Sequence, residues 1–158
     1  VNSNGNCVLG YGNYSTKSGT TNIYGYGIGL YTNNYLVSNR GLKVLWSGSY
    51  YMNANQTIKF SDKALNQLNG IVLAWSRYAN NEALNENWTF VFIPKEHLIK
   101  HSGDLYSILL PGGTLGFKYV YVTDNTITGH AANEQSKVMV SGIATNPKLY
   151  VLRYVYGV

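Results

Sequence analysis

From about residue 42 onward, large apolar and polar side chains follow one another in short runs, often with a period of two. QTIKF (56–60) sets Ile58 against Thr57 and Lys59, and FKYVYVTD (117–124) puts Phe117, Tyr119 and Tyr121 on one side, Val120 and Val122 on the other. Successive side chains of a strand point to opposite faces, so this alternation predicts strands. LKVLWSGSYYM (42–52) and NWTFVFIP (87–94) are apolar on both faces, and the second stops at Pro94. GIVLAWSRY (70–78) follows the turn signal Asn69-Gly70, YSILLPGG (106–113) ends on a Pro-Gly-Gly break, and KLYVLRYVYGV (148–158) forms a last strand. Strands rich in Tyr, Val and Ile, with turns at intervals of roughly a dozen residues, predict an all-β sandwich or barrel. Helical signal is weak. SDKALNQL (61–68), with Ser61 as a candidate N-cap, reads as one helical turn or a loop. PKEHLIKH (94–101), with proline in its first turn, reads as a short helix.

Residues 1–41 have another texture. In TNIYGYGIGLYT (21–32) the even positions are Tyr24, Tyr26, Ile28 and Leu30, whereas the odd ones include Gly25, Gly27 and Gly29. Each glycine within a strand costs roughly 0.5–1 kcal/mol relative to alanine, so a face of three calls for a close neighbour that a Cβ would obstruct. A flexible linker would have no reason to alternate. The pattern predicts a shaft in which copies of the chain wind together and share a core. The expected organisation is a glycine- and tyrosine-rich shaft or neck over 1–41 and an all-β head domain over 42–158.

Charge and composition narrow the classes. Only 12% of residues are charged, against 45% hydrophobic, so the surface must be built from Asn, Ser, Thr, Gly and the 15 tyrosines. Such a surface suits extracellular, sugar-binding or fibrous proteins. The net charge of +5 is scattered, with no run of four cations, which argues against a nucleic-acid stripe or a membrane patch. A mild positive excess fits a phosphate-bearing cell-wall glycan. Cys7 is the only cysteine, so neither an intrachain disulfide nor a cysteine-based metal site is available. No apolar run of about 18 residues occurs, so no membrane insertion is expected. Beginning at Val1, the chain reads as a fragment or a processed product.

LWSGSYYMNANQTIKFSDKALNQLNGIVLAWSRY (45–78), NWTFVFIPKEH (87–97), KYVYVTDNTITGH (118–130) and LYVLRYVYGV (149–158), in this order and spacing, resemble the C-terminal head domain of tail and baseplate proteins of phages that infect Gram-positive bacteria. The first region resembles the glycine-rich intertwined shafts of phage tail fibres. The resemblance implies a homotrimer, so each chain has two identical partners. It also implies contacts with other tail or baseplate proteins, a place at the tail tip of the virion, and recognition of a host cell-wall saccharide, with teichoic acid one candidate. The family's saccharide contacts vary between members, so none transfers by motif.

Catalytic patterns are sparse. The acids are Asp62, Glu82, Glu86, Glu96, Asp104, Asp124 and Glu134. A glycosidase needs two of them about 5–10 Å apart; NNEALNEN (80–87) reads as an exposed loop or hairpin tip, and Asp104 and Asp124 lie near strand ends that could converge. There is no Gly-x-Ser-x-Gly elbow and no phosphate loop. His97 and His101 have helical metal-pair spacing but no intervening Glu, and His130 or Asp104 would have to complete the set. No metal, cofactor or catalytic residue is expected. Sugar binding needs loop aromatics and planar hydrogen-bonding groups. Strand aromatics read as core, so the candidates are Tyr78, Asn80, Asn81 and Trp88; Asp104 and Tyr106; and, in the long loop after the Tyr-rich strand, Asn125, Thr126, His130 and Asn133, within one head or between heads. Trp46 and Trp75 read as core. The favoured function is non-catalytic, multivalent attachment to wall saccharide. The alternatives are a tail-associated glycan depolymerase and a structural adaptor joining baseplate proteins.

Overall fold

The alternation becomes two antiparallel sheets with a common core. The computed structural model describes residues 43–112 and 114–158; the predicted shaft, its 21–32 strand and Cys7 lie outside them. The larger sheet has the order β1 (Lys43–Tyr50), β11 (Tyr150–Gly157), β3 (Gly70–Ala79) and β5 (Thr89–Pro94), with the two-residue β4 (Glu82–Ala83) folding back on the end of β3. The second sheet has the order β2 (Thr57–Lys59), β8 (Thr126–Thr128), β7 (Gly116–Val122) and β6 (Leu105–Leu110). The ribbon of β9 (Val138–Val140) and β10 (Ile143–Thr145) pairs only with itself among the described residues. The fold is all-β, with a sheet curled as a half-barrel.

Ile71, Leu73 and Trp75 of β3, Ile93 of β5, and Leu152 and Val155 of β11 meet Ile58, Ile108, Leu110, Val120, Val122 and Ile127 of the second sheet in one buried cluster. Each such side chain contributes about 1.5–3 kcal/mol when fully buried. On β7 the small residues Val120 and Val122 face inward and Phe117, Tyr119 and Tyr121 outward, as the alternation requires. The same geometry sends Lys118 into the core.

Several local expectations change. Ser61 is not a helix cap: its N–H donates to Leu45 O, and the 3-10 turn Ala64–Asn66 begins two residues after Asp62, whose Oδ1 accepts from Lys63 N–H and Asn66 Nδ2. The short helix α1 spans Lys95–Lys100, with Pro94 at the N-cap position rather than inside the first turn. Asn69-Gly70 is not a hairpin turn. Asn69 and Gly70 N–H both reach Val158 O, Asn69 O accepts from Lys95 N–H, and Gly70 has φ +135° where a Cβ would strike Ile93 O. The stretch after the tyrosine-rich strand is more ordered than a long loop. It holds β8, the 3-10 turn Ala131–Glu134, the ribbon and a 3-10 turn at Pro147–Leu149.

Asp62 accepts from the Lys43 ammonium, Asn66 and Gln67, and these bonds, led by Lys43, hold its carboxyl well below the usual carboxylate range. A depressed carboxyl pKa gives stability that is full above the unfolded value of about 3.9 and is lost as pH falls through the folded one. Lys43 and Asp62 are both partly exposed, so the effect is small. Asp62→Asn should leave stability at pH 7 slightly reduced and flatten its decline below pH 4, measured by urea unfolding across that range. An unchanged acid profile would assign the decline to other groups.

Candidate functional site

A buried polar knot behind the second sheet positions one aromatic face. Lys118 Nζ donates to Tyr51 O (2.9 Å) and Asn133 O (3.2 Å) and lies 5.5 Å from the Tyr51 ring centroid and 5.6 Å from that of Trp75. Two carbonyls and two π faces are a cradle for an ammonium. Asn133, fully buried, turns its carboxamide to the edge of β7: Oδ1 accepts from Tyr119 N–H (2.8 Å) and Nδ2 donates to Tyr119 O (2.6 Å) and Met52 O (2.6 Å). A side-chain amide thus occupies the place of a backbone partner on β7. Met52 sits at φ +60°, unusual for its residue type, and its carbonyl is fixed by Asn133 and by His130 N–H (2.9 Å).

This knot sets His130 on the outer face. Its Nδ1 accepts from Ala132 N–H (3.1 Å), so the neutral imidazole carries its proton on Nε2. The ring lies 5.3 Å from Tyr119 and 6.2 Å from Tyr121, and Tyr119 contacts Phe117 edge-on at 4.9 Å. Across the sheet, Ser107 stands opposite Tyr119, and Thr128 and Leu105 flank Tyr121; Thr57 and Thr128 share a hydroxyl hydrogen bond of 3.0 Å. Lys59, exposed, pairs with Thr126 at the β2 side. The face therefore offers ring surfaces for C–H groups, a fixed N–H donor, hydroxyls and a cation, a set suited to a sugar bearing anionic groups.

The predicted residues fall on three parts of the fold. Asn125, Thr126, His130 and Asn133 lie on or behind this face. Asn125 is exposed, its N–H donating to Thr123 Oγ1 and its carbonyl accepting from Phe60 N–H; Thr126 Oγ1 bonds Thr123 Oγ1 at 2.8 Å. Asn133 is an organiser whose amide is fully used, not a surface contact. Tyr78, Asn80, Asn81 and Trp88 lie at the far end of the larger sheet. Asn80 (φ 52°) and Asn81 (φ 64°) are the two central residues of the β3–β4 hairpin, a position that demands left-handed backbone, so turn geometry accounts for them. Tyr78 packs against Tyr51 at 4.8 Å; burial, with Tyr78 beside it, pushes the Tyr51 phenol up to about 12. Trp88 stacks with Phe90 (6.2 Å) and Tyr154 (6.1 Å) beneath the Arg153 guanidinium (5.4 Å). Asp104 and Tyr106 belong with α1. Asp104 meets His101 Nδ1 at 3.2 Å, and Tyr106 meets the His97 ring at 5.0 Å.

Tyr119 and Tyr121 were not among the predicted contacts, because strand aromatics were read as core. The signal was present: with Val120 and Val122 inward, their strand neighbours must face out.

Asp124, Glu86 and Glu134 have local partners. Asp124 accepts from Leu65 N–H (2.8 Å) and stands 3.6 Å from Lys63, Glu86 lies 3.7 Å from Arg77, and Glu134 accepts from Asn53 Nδ2 (2.9 Å). The His97 and His101 rings lie 5.7 Å apart and tilted by 32°, and no group of three metal-ligating side chains gathers among the described residues. Burial, then the neighbouring His101, lowers the pKa of His97. No protein-family model matches the chain, and no curated protein matches it in sequence.

Proposed function

We propose that the chain is a receptor-binding module of a phage tail, attaching the virion to a host cell-wall saccharide without cleaving it. The observation that carries this reading is the Tyr119–Tyr121–His130 face: three half-buried rings side by side, bordered by hydroxyls and Lys59, on the solvent side of the second sheet. The sequence resemblance supplies the phage setting and the homotrimer. One shallow sugar site is weak, but three coupled sites raise avidity by roughly 10²–10⁴ without a new contact.

Tyr119→Ala and Tyr121→Ala should each weaken binding to purified Gram-positive wall polymer at least tenfold, about 1.4 kcal/mol, by titration calorimetry. Both side chains face outward, so thermal stability should change little. Wild-type affinity in both variants would sink the assignment of this face. Reducing ends released from the polymer would instead support the depolymerase. The adaptor reading has its own support in Phe90 and Phe92, which stand in the open on the larger sheet.

A further inference from the structure

Strand β6 is an open edge of the second sheet: among the described residues it pairs with β7 and with no other strand. Edge strands ordinarily carry a charge, a proline, a bulge or very few residues, and these keep other strands away. The other edges here do. β1 is bulged and begins at Lys43, β2 has three residues and ends at Lys59, and β5 ends at Pro94. β6, LYSILL, has six residues in unbroken register with β7 and contains neither charge, glycine nor proline.

The direction of its backbone groups follows from the Asn133 carboxamide. Tyr119 N–H donates to Asn133 Oδ1, and Tyr119 O accepts from Asn133 Nδ2. Because β6 fills one side of β7, both groups point to the other side. Ser107 stands opposite Tyr119, so the two form a non-hydrogen-bonded pair. The N–H and C=O of Ser107 therefore face the open edge, and by the alternation of the ladder so do those of Leu105 and Leu109. The side chains of these three residues lie on the outer face, where Leu105 and Leu109 are 45% and 52% exposed.

That outer row, Leu105, Ser107 and Leu109, reads the same in both directions. A two-fold axis through Ser107, normal to the sheet, sets Ser107 opposite Ser107 of a second copy and each Leu105 opposite the other's Leu109. Every position in the row has its backbone groups turned outward, so each facing pair exchanges both of its bonds. The same register places leucine on leucine and hydroxyl on hydroxyl. A shift of one residue would set the outer face of one copy against the core face of the other. The nearest charge, Asp104, falls opposite Leu110, which keeps the acids of the two copies about 20 Å apart at the rise of an antiparallel strand.

From this self-complementarity we propose that β6 docks on β6 of a second copy, antiparallel and centred on Ser107. The contact is isologous and closes on itself. A two-fold contact is no part of a three-fold shaft, so it links chains of separate trimers of the kind proposed above. It sets the two Tyr119 side chains on one side of a continuous sheet, three strand spacings or roughly 14 Å apart. The contact does not depend on what that face binds.

The test uses the full-length chain. In a Cys7→Ser background, Ser107→Cys should form a disulfide-linked pair on mild oxidation at least tenfold faster than Leu105→Cys. Residue 107 meets itself at a Cα separation of about 5.5 Å, whereas residue 105 lies about 14 Å from its own copy. Mixing Leu105→Cys chains with Leu109→Cys chains should restore the fast rate. In the otherwise unaltered chain, Ser107→Pro removes the donor at the axis and leaves the bonds to β7 in place, since that N–H faces outward. Light scattering should give it half the mass of the wild type or less at equal concentration. Ser107→Lys, which sets two cations together on the axis and keeps the backbone donor, should do the same. Circular dichroism of each variant checks folding. A Ser107→Cys disulfide no faster than that of Leu105→Cys, or a mass unchanged in both folded variants at 107, overturns the proposal and leaves the edge to a strand from residues 1–42 or from another protein.

Discussion

Lys118→Ala is expected to lower the free energy of unfolding by about 3–5 kcal/mol. Truncating a long buried side chain to alanine costs about 2–5 kcal/mol through lost contacts and the cavity left behind. The Tyr51 and Asn133 carbonyls would also lose this donor, at roughly 1–3 kcal/mol for each buried group left unpaired. Relief from burying an ammonium offsets part of the sum. Lys118→Met keeps most of the volume but donates nothing, so it should cost less, about 1–3 kcal/mol. Urea unfolding of both variants checks the ordering. Losses under 1 kcal/mol for the alanine variant would mean that the knot behind the second sheet does not depend on its cation.

The same residue has a signature in pH. Burial lowers the Lys118 pKa well below that of a free lysine. Between the lowered folded value and the unfolded value of about 10.4, the unfolded chain binds the extra proton, so stability rises with pH across that window and the contribution is lost below it. The difference between wild type and Lys118→Met isolates this slope from every other titrating group, since both proteins share them.

Gly129→Ala is the other severe change, at about 3 kcal/mol. Inserting even one methyl into a packed core costs about 1–3 kcal/mol when side chains can shift. Here the methyl would stand within the Met52 carbonyl and close to Asn53 O, both backbone groups. That backbone is pinned: Gly129 N–H donates to Gln56 O and His130 N–H to Met52 O. The collision also displaces His130 from Tyr119 and Tyr121, so a variant still folded at low temperature should bind wall polymer as poorly as Tyr119→Ala. Full binding by a stable Gly129→Ala protein would contradict the path drawn from Met52 to the aromatic face.

The larger strands were legible for two reasons: β7 repeats its in-out pattern over its whole length, and β3, β5 and β11 are runs dense in Val, Ile, Leu and aromatic residues bounded by turn signals, with the stop at Pro94 written in the residue itself. β2 was short but still alternated visibly. β8, β9 and β10, with three residues each, carry too few repeats to separate strand from loop, and they were folded into one long loop. Lys118 illustrates a different limit. Alternation correctly sends position 118 inward, but a lysine there is tolerable only because Tyr51 and Asn133, distant in sequence, bring carbonyls to it. The same holds for Asn133, read as a surface amide until the edge of β7 lies beside it. NNEALNEN was legible as an exposed loop or a hairpin tip, and the left-handed backbone of Asn80 and Asn81 supplies the reason for those residues without any ligand.

Strand order carries a consequence for synthesis. β11 runs between β1 and β3, with Gly157 opposite Lys43, so the middle of the larger sheet is translated after both of the strands that it joins. While the ribosome is still short of Tyr150, β1 and β3 have no common neighbour, and half the core has nothing to close against. Such long-range pairing is slow to form and leaves apolar strands uncovered meanwhile. The nascent chain must therefore be kept from aggregating until β11 emerges, and a chain lacking that strand leaves β1 without its partner.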